Sequence, residues 1–201
     1  KNWKNPTMPF LVVQLPGFGK ATKEPNNNNN WPWIRESQKN IDTIENCQAI
    51  CILDSGMEED IHPPYKENVG KRLAYAARSM VYGQTNAPQS PQYSAHQADG
   101  EATIITFTKV GSGLTTGTPL LEDASHQSGD VLGFIVMDSQ GKYQRASAQI
   151  VAPNQIRVNH PGITNPKSIR YGWENFPNVN LYGEDDMPAF PFRTDTFSSD
   201  K

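Results

Sequence analysis

Apolar residues gather in short unbroken runs early in the chain and at spaced positions further on. Phe10-Leu11-Val12-Val13-Gln14-Leu15 is one such run, closed by Pro16-Gly17. It is too short for an ordinary helix and is bounded by turn residues, which fits a strand buried in a parallel sheet. Residues 49–53 repeat the pattern and end at Asp54-Ser55-Gly56. Between the two runs, Ile34, Gln38, Ile41 and Ile44 can share one helical face, which predicts a helix over residues 33–46. After Pro63-Pro64, Val69, Leu73, Ala76 and Met80 recur at helical spacing. A helix over about residues 65–82 should stop before Gly83. Strand, helix, strand, helix is α/β in character, but only the end of such a fold.

The pattern changes after Gly83. Residues 84–100 are rich in Gln, Ser, Pro and Ala without periodicity, and read as a linker or irregular crossing. Residues 102–110, 131–137, 147–151 and 155–158 are β-like segments separated by Gly and Ser or Asn turns, as in a small all-β domain or sandwich layer. Residues 166–201 look like loop, yet they carry Tyr171, Trp173, Phe176, Tyr182, Phe190, Phe192 and Phe197. A disordered tail would not hold so many aromatics, so this stretch is expected to wrap back over the first. The division expected is 1–84, α/β; 85–165, β-rich; and 166–201, an aromatic-rich covering segment.

Composition narrows this picture. Hydrophobic residues make up 36% and charged residues 19%, both low for a compact protein, with Asn, Gln, Gly, Pro, Ser and Thr in their place. Long ordered loops around a scaffold are the expected result. The net charge is −3 without a basic stripe, which argues against a nucleic-acid partner. No apolar run approaches the length of a membrane-spanning helix. Cys47 and Cys51 stand too far apart in an extended chain for easy bridging, and no His or Cys has zinc-site spacing.

The densest chemistry is Asp60-Ile61-His62, at the entrance to the second helix. In an α/β sheet, ligands bind beyond the carboxyl ends of the strands, where this loop follows residues 49–53. An aspartate can there orient a histidine that takes a proton from a nucleophile. The plainer alternative is that Asp60 caps the helix and His62 is an ordinary surface residue.

The wider run, Asp60-Ile61-His62-Pro63 followed by Lys66, Val69-Gly70 and Arg72-Leu73-Ala74, resembles the end of the sialate O-acetylesterase family of SGNH-type hydrolases. Other stretches are similar in the same order. Val13-Gln14-Leu15 resembles the family's strand before a variable loop, and Trp33-Ile34-Arg35-Glu36-Ser37-Gln38 its W-x-x-R-E-x-Q helix start. Ile169-Arg170-Tyr171-Gly172-Trp173 resembles V-R-Y-x-W, and Asn180-Leu181-Tyr182 resembles N-L-Y. The run from Pro188 to Asp195 resembles P-A-x-P-F-R-T-D.

The resemblance implies the C-terminal part of a flavodoxin-like, three-layer α/β hydrolase domain, followed by the small β domain or layer. It makes Asp60 the orienting acid and His62 the general base of a Ser-His-Asp esterase. That enzyme would remove O-acetyl groups from a sialic acid or another carbohydrate, with no metal or organic cofactor. The family's serine turn, and the glycine and asparagine of its oxyanion hole, are not found in this sequence. They are expected on an upstream segment or chain of the same precursor. Ser55 follows the strand that delivers the Asp-His loop, and Ser37 lies within the first predicted helix, so neither suits the nucleophile. Export to a periplasmic, extracellular or lysosomal compartment is a further implication of the resemblance.

Substrate-side candidates are Gln14 at a strand end, Trp31 and Trp33 around Pro32, Arg35, Tyr182 and Arg193. Exposed indoles could stack on a sugar ring, or both could anchor the asparagine loop, Asn26 to Asn30, from within the core. Arg35 could meet a sugar carboxylate or pair with Glu36, Asp42 or Glu45. Arg193 could pair with Asp195. Two other functions compete with the esterase: a noncatalytic carbohydrate-binding module on the same scaffold, and a metal-dependent hydrolase that would add His96, His126 or His160 to the Asp-His pair.

Overall fold

β1 (Phe10–Val13) and β2 (Cys47–Ile50) lie side by side in parallel, with Phe10 opposite Cys47 and Val13 opposite Ile50. The computed structural model in which they are seen describes residues 4–5, 7–25, 29–121 and 127–196. Asn26 to Asn28, His126 and Phe197 lie outside the described residues. Side chains alternate across a strand, so the pair has two apolar faces. Leu11, Val13, Ile50 and Ile52 pack with Val69, Leu73 and Ala76 of α2 (Lys66–Met80). Val12, Ala49 and Cys51 join the main core instead. The outer edge of β1 has no strand partner among the described residues.

α1 (Trp31–Lys39) begins before the predicted residue 33, with Pro32 in a first turn whose N–H groups lack helical partners anyway. It ends sooner than residue 46, passing into a 3-10 turn at Asn40–Thr43. Asp42 accounts for the difference. Its carboxylate accepts the Ala49 N–H at 2.7 Å and pairs with Lys39 at 2.7 Å, turning the chain into β2. Residues 51–53, expected as strand, stay buried but leave the ladder for a 3-10 turn at Leu53–Ser55.

The remaining elements are strands: β3 (Gln92–Asp99), β4 (Ala102–Thr108), β5 (Thr115–Thr116), β6 (Phe134–Met137), β7 (Tyr143–Arg145), β8 (Ser147–Ala152), β9 (Gln155–Asn159), β10 (Ser168–Tyr171), β11 (Leu181–Tyr182) and β12 (Phe192–Arg193). They form two four-stranded antiparallel sheets, β3-β4-β9-β8 and β12-β10-β6-β7, and a small β5-β11 pair. Two expectations are corrected here. Residues 92–99 are not linker but an edge strand, which hardly buries a side chain and is held by its ladder to β4. Residues 166–196 are not only loop, since β10 and β12 supply half of the second sheet.

Ile105 and Phe107 of β4 and Ile156 and Val158 of β9 share one core with Phe134 and Val136 of β6, Ile169 and Tyr171 of β10, and Phe192 of β12. Ala49, Cys51, Leu53 and Phe190 belong to the same core. The aromatic stretch also reaches the early helix: Trp173 meets Trp33 edge-to-face at 5.3 Å, and Phe190 lies 4.8 Å from the Lys39 ammonium. Cys47 and Cys51 are free thiols, and burial pushes that of Cys51 up to about 12. No helix among the described residues is long and apolar enough to cross a membrane.

Candidate active site

The loops that follow β1 and β2 run against one another. Phe18 and Met57 form a parallel bridge, and the Gly19 N–H donates to Glu58 O at 3.0 Å. The Ala21 N–H donates to the Glu58 carboxylate at 2.8 Å. Gly56 packs directly on the backbone of Gly17, where no side chain would fit. Held in this way, the second loop carries Asp60 and His62.

Asp60 Oδ1 accepts the His62 backbone N–H at 2.8 Å, a local turn that brings the two side chains together. The same oxygen is 3.3 Å from His62 Nδ1. The side chains are 55% and 83% exposed respectively, so the rest of the imidazole faces open space. An acid beside Nδ1 and an accessible Nε2 is the arrangement a general base needs. No serine hydroxyl among the described residues bonds to His62. Ser55 is buried with its hydroxyl 3.4 Å from the Asp54 carboxylate, and the Ser37 hydroxyl donates to Trp33 O. Among the described residues no three His, Cys, Asp or Glu side chains converge as metal ligands.

The base of the loop is fixed by an ion pair that the sequence did not announce. Arg72 of α2 donates to both Asp54 carboxylate oxygens at 2.7 Å and also to Cys51 O and Asp186 O. Asp and Arg eighteen residues apart give no local signal; only the packing of α2 on β2 joins them.

The substrate-side candidates are scattered. Arg35 is wholly buried, and donates at 2.7–3.0 Å to the carbonyls of Leu15, Pro16, Glu174 and Asn175. Burial lowers its pKa to about 10. It meets none of the three expected carboxylates, and its position leaves no route to a sugar acid. Gln14 is equally buried, donating to Arg35 O at 3.0 Å. Trp33 packs between Trp173 and the guanidinium of Arg193, 4.9 Å away. Arg193 bonds to both Glu36 oxygens, at 2.9 and 3.2 Å, and reaches Asp195 as well. Tyr182 is half-buried, and burial together with the nearby Asp54 charge raises its phenol pKa. Trp31 packs on the tip of the loop after β1, its ring 5.3 Å from that of Phe18.

No family model matches the chain, and no curated protein does. Solved structures do. One is the crystal structure of a novel carbohydrate acetylesterase from Xanthomonas citri, which is 34% identical and superposes with a TM-score of 0.81. The match covers 95% of this chain and 42% of that protein. The chain thus folds like part of a carbohydrate acetylesterase and spans about two fifths of that enzyme's length.

Proposed function

We propose that this chain is the base-bearing part of an SGNH-type carbohydrate acetylesterase. It would act on O-acetyl groups of a sialic acid or another sugar. The observation that carries the reading is Asp60 Oδ1 at 3.3 Å from Nδ1 of an accessible histidine, beyond the ends of two parallel strands. The likeness to a solved carbohydrate acetylesterase supports it.

In this mechanism His62 Nε2 takes the proton of a serine hydroxyl as its oxygen attacks the acetyl carbon. Asp60 holds the ring and stabilises the imidazolium. The tetrahedral intermediate collapses, the sugar oxygen leaves with the proton from His62, and the acetyl group stays on the serine. Water then gives a proton to His62 and attacks the acyl-serine, and acetate departs as the serine recovers its proton. The serine and the donors for the tetrahedral oxygen come from an upstream segment of the same precursor. Neither outer edge of the β1–β2 pair has a strand partner among the described residues, and such a segment can extend the sheet at β1 or at β2, because two parallel strands alone make a poor one. Export to a periplasmic, extracellular or lysosomal compartment belongs to the same reading.

Substituting His62→Ala in the full-length gene product should lower acetate release from an acetylated oligosaccharide by roughly three orders of magnitude or more. Unchanged release would sink the assignment. Acetate release by the 201-residue chain alone would overturn the upstream serine. The lack of a serine hydroxyl on His62 among the described residues favours a second reading, a noncatalytic carbohydrate-binding module. That reading gains if the full-length product binds the sugar without cleaving it.

A further inference from the structure

Two exposed apolar side chains lie on the loop after β2, Met57 at 41% and Ile61 at 40%. Phe18, bridged to Met57, and Trp31, packed on Phe18, are half-buried. The two aromatic rings form a corner, with centroids 5.3 Å apart and planes inclined at 41°. One residue fixes both: the Phe18 N–H donates to Asn175 O at 3.0 Å, and the Trp31 N–H donates to Asn175 Oδ1 at 3.2 Å. Arg35, locked on four carbonyls including Asn175 O, lies 6.0 Å from the Trp31 ring centre on the interior side. The corner is therefore held in place before anything binds, and a rigid aromatic surface loses little entropy on binding.

We infer that Phe18, Trp31 and Met57 form the subsite that receives a pyranose ring of the acetylated glycan, with Asn175 as its positioning residue. The inference rests on the esterase reading, in which this corner adjoins the Asp60–His62 loop. Pyranose rings present a face of C–H groups that packs on aromatic carbon, while their hydroxyls turn to a polar rim. Asn30, Lys20 and Glu58 supply such a rim. The charge points to a neutral sugar. The exposed groups on the Asp60–His62 loop itself are Glu58, Glu59 and Asp60, which oppose a carboxylate, against Lys20 and Lys66 nearby. The two arginines suited to grip a sugar acid, Arg35 and Arg193, are bonded within the protein.

The test uses the full-length gene product and the variants Phe18→Ala, Trp31→Ala and Met57→Ala. Binding of a neutral O-acetylated oligosaccharide to the His62→Ala background is measured by calorimetry. Hydrolysis is followed with that oligosaccharide and with p-nitrophenyl acetate, which has an acetyl ester but no sugar. The expected result is at least tenfold weaker binding and a raised KM for the oligosaccharide in the Trp31 and Phe18 variants. Turnover of the aryl ester should stay within twofold of the parent. Asn175→Ala should repeat the effect, and Asn175→Asp, which keeps the acceptor oxygen, should largely rescue it. Equal losses on both esters, unchanged sugar binding, or tighter binding of an O-acetylated sialoside than of the neutral sugar would each overturn the inference. Failure of the catalytic reading shows separately, as aryl ester turnover that survives His62→Ala.

Discussion

Gly56 has φ −75° and ψ 164°, a conformation open to any residue. Its reason for being glycine is proximity: a Cβ would stand 2.6 Å from both the nitrogen and the Cα of Gly17. Backbone cannot yield as a side chain can, so Gly56→Ala must push the two loops apart. Overpacking of this kind costs about 1–3 kcal/mol. The variant should show that loss in its denaturation midpoint, and a larger fractional loss of acetate release, because the displaced loop carries Asp60 and His62. Residues were legible in the sequence where their partner was local. Asp60 and His62 meet through a turn two residues wide. Arg35 looked like a ligand because a guanidinium on an early helix is usually exposed, and nothing in its neighbourhood shows that four carbonyls from two distant loops close on it. Phe18 stands between two glycines in a polar loop, and nothing in that neighbourhood shows that its ring packs on Trp31.

At the scale of elements, α2 was legible because its apolar positions keep helical spacing over its whole length. Its buried face nevertheless includes Arg72. That guanidinium and Asp54 have side chains only 5% and 9% exposed, so neither can turn to water if the other is lost. Arg72→Met should destabilise the fold by about 3–5 kcal/mol in a urea titration, because it strands a buried carboxylate. Adding Asp54→Leu should return much of that loss if the desolvated charge is the cause. β3 was illegible for a physical reason. A strand is recognised by its buried alternation, and this one takes its conformation from the hydrogen bonds of β4 while its own side chains stay mostly in water. The early end of α1 was hidden in the same way, since Asp42 acts through a contact with β2.

Across the whole molecule, Asp195 closes the chain's final stretch onto the rest. It accepts from Arg170 at 2.7 Å and from Ser168 at 2.6 Å, beside Arg193. Burial opposes its charge, yet these donors and the Arg170 charge prevail and hold the carboxyl well below its ordinary 3.8. A group whose pKa is depressed by folding contributes stability that is complete above its unfolded value and lost as pH falls toward the folded one. The protein should therefore lose thermal stability below about pH 4. Asp195→Asn should be less stable at pH 7 and show a flatter acid limb when melting temperature is followed down to pH 2. The sequence indicated that the late aromatics must pack on something, but not that Arg193 would reach Glu36, 157 residues earlier. Thr22 bonds to Glu174 and Arg35 to Asn175 across 152 and 140 residues. These separations bear on the timing of synthesis. While the ribosome is still making the second half, the first forty residues have none of these anchors, and long-range closures are slow to form. The loop after β1 thus completes its anchoring only once the stretch around residues 174–193 has emerged, so the Phe18–Trp31 corner reaches its native setting well after its own residues have been made.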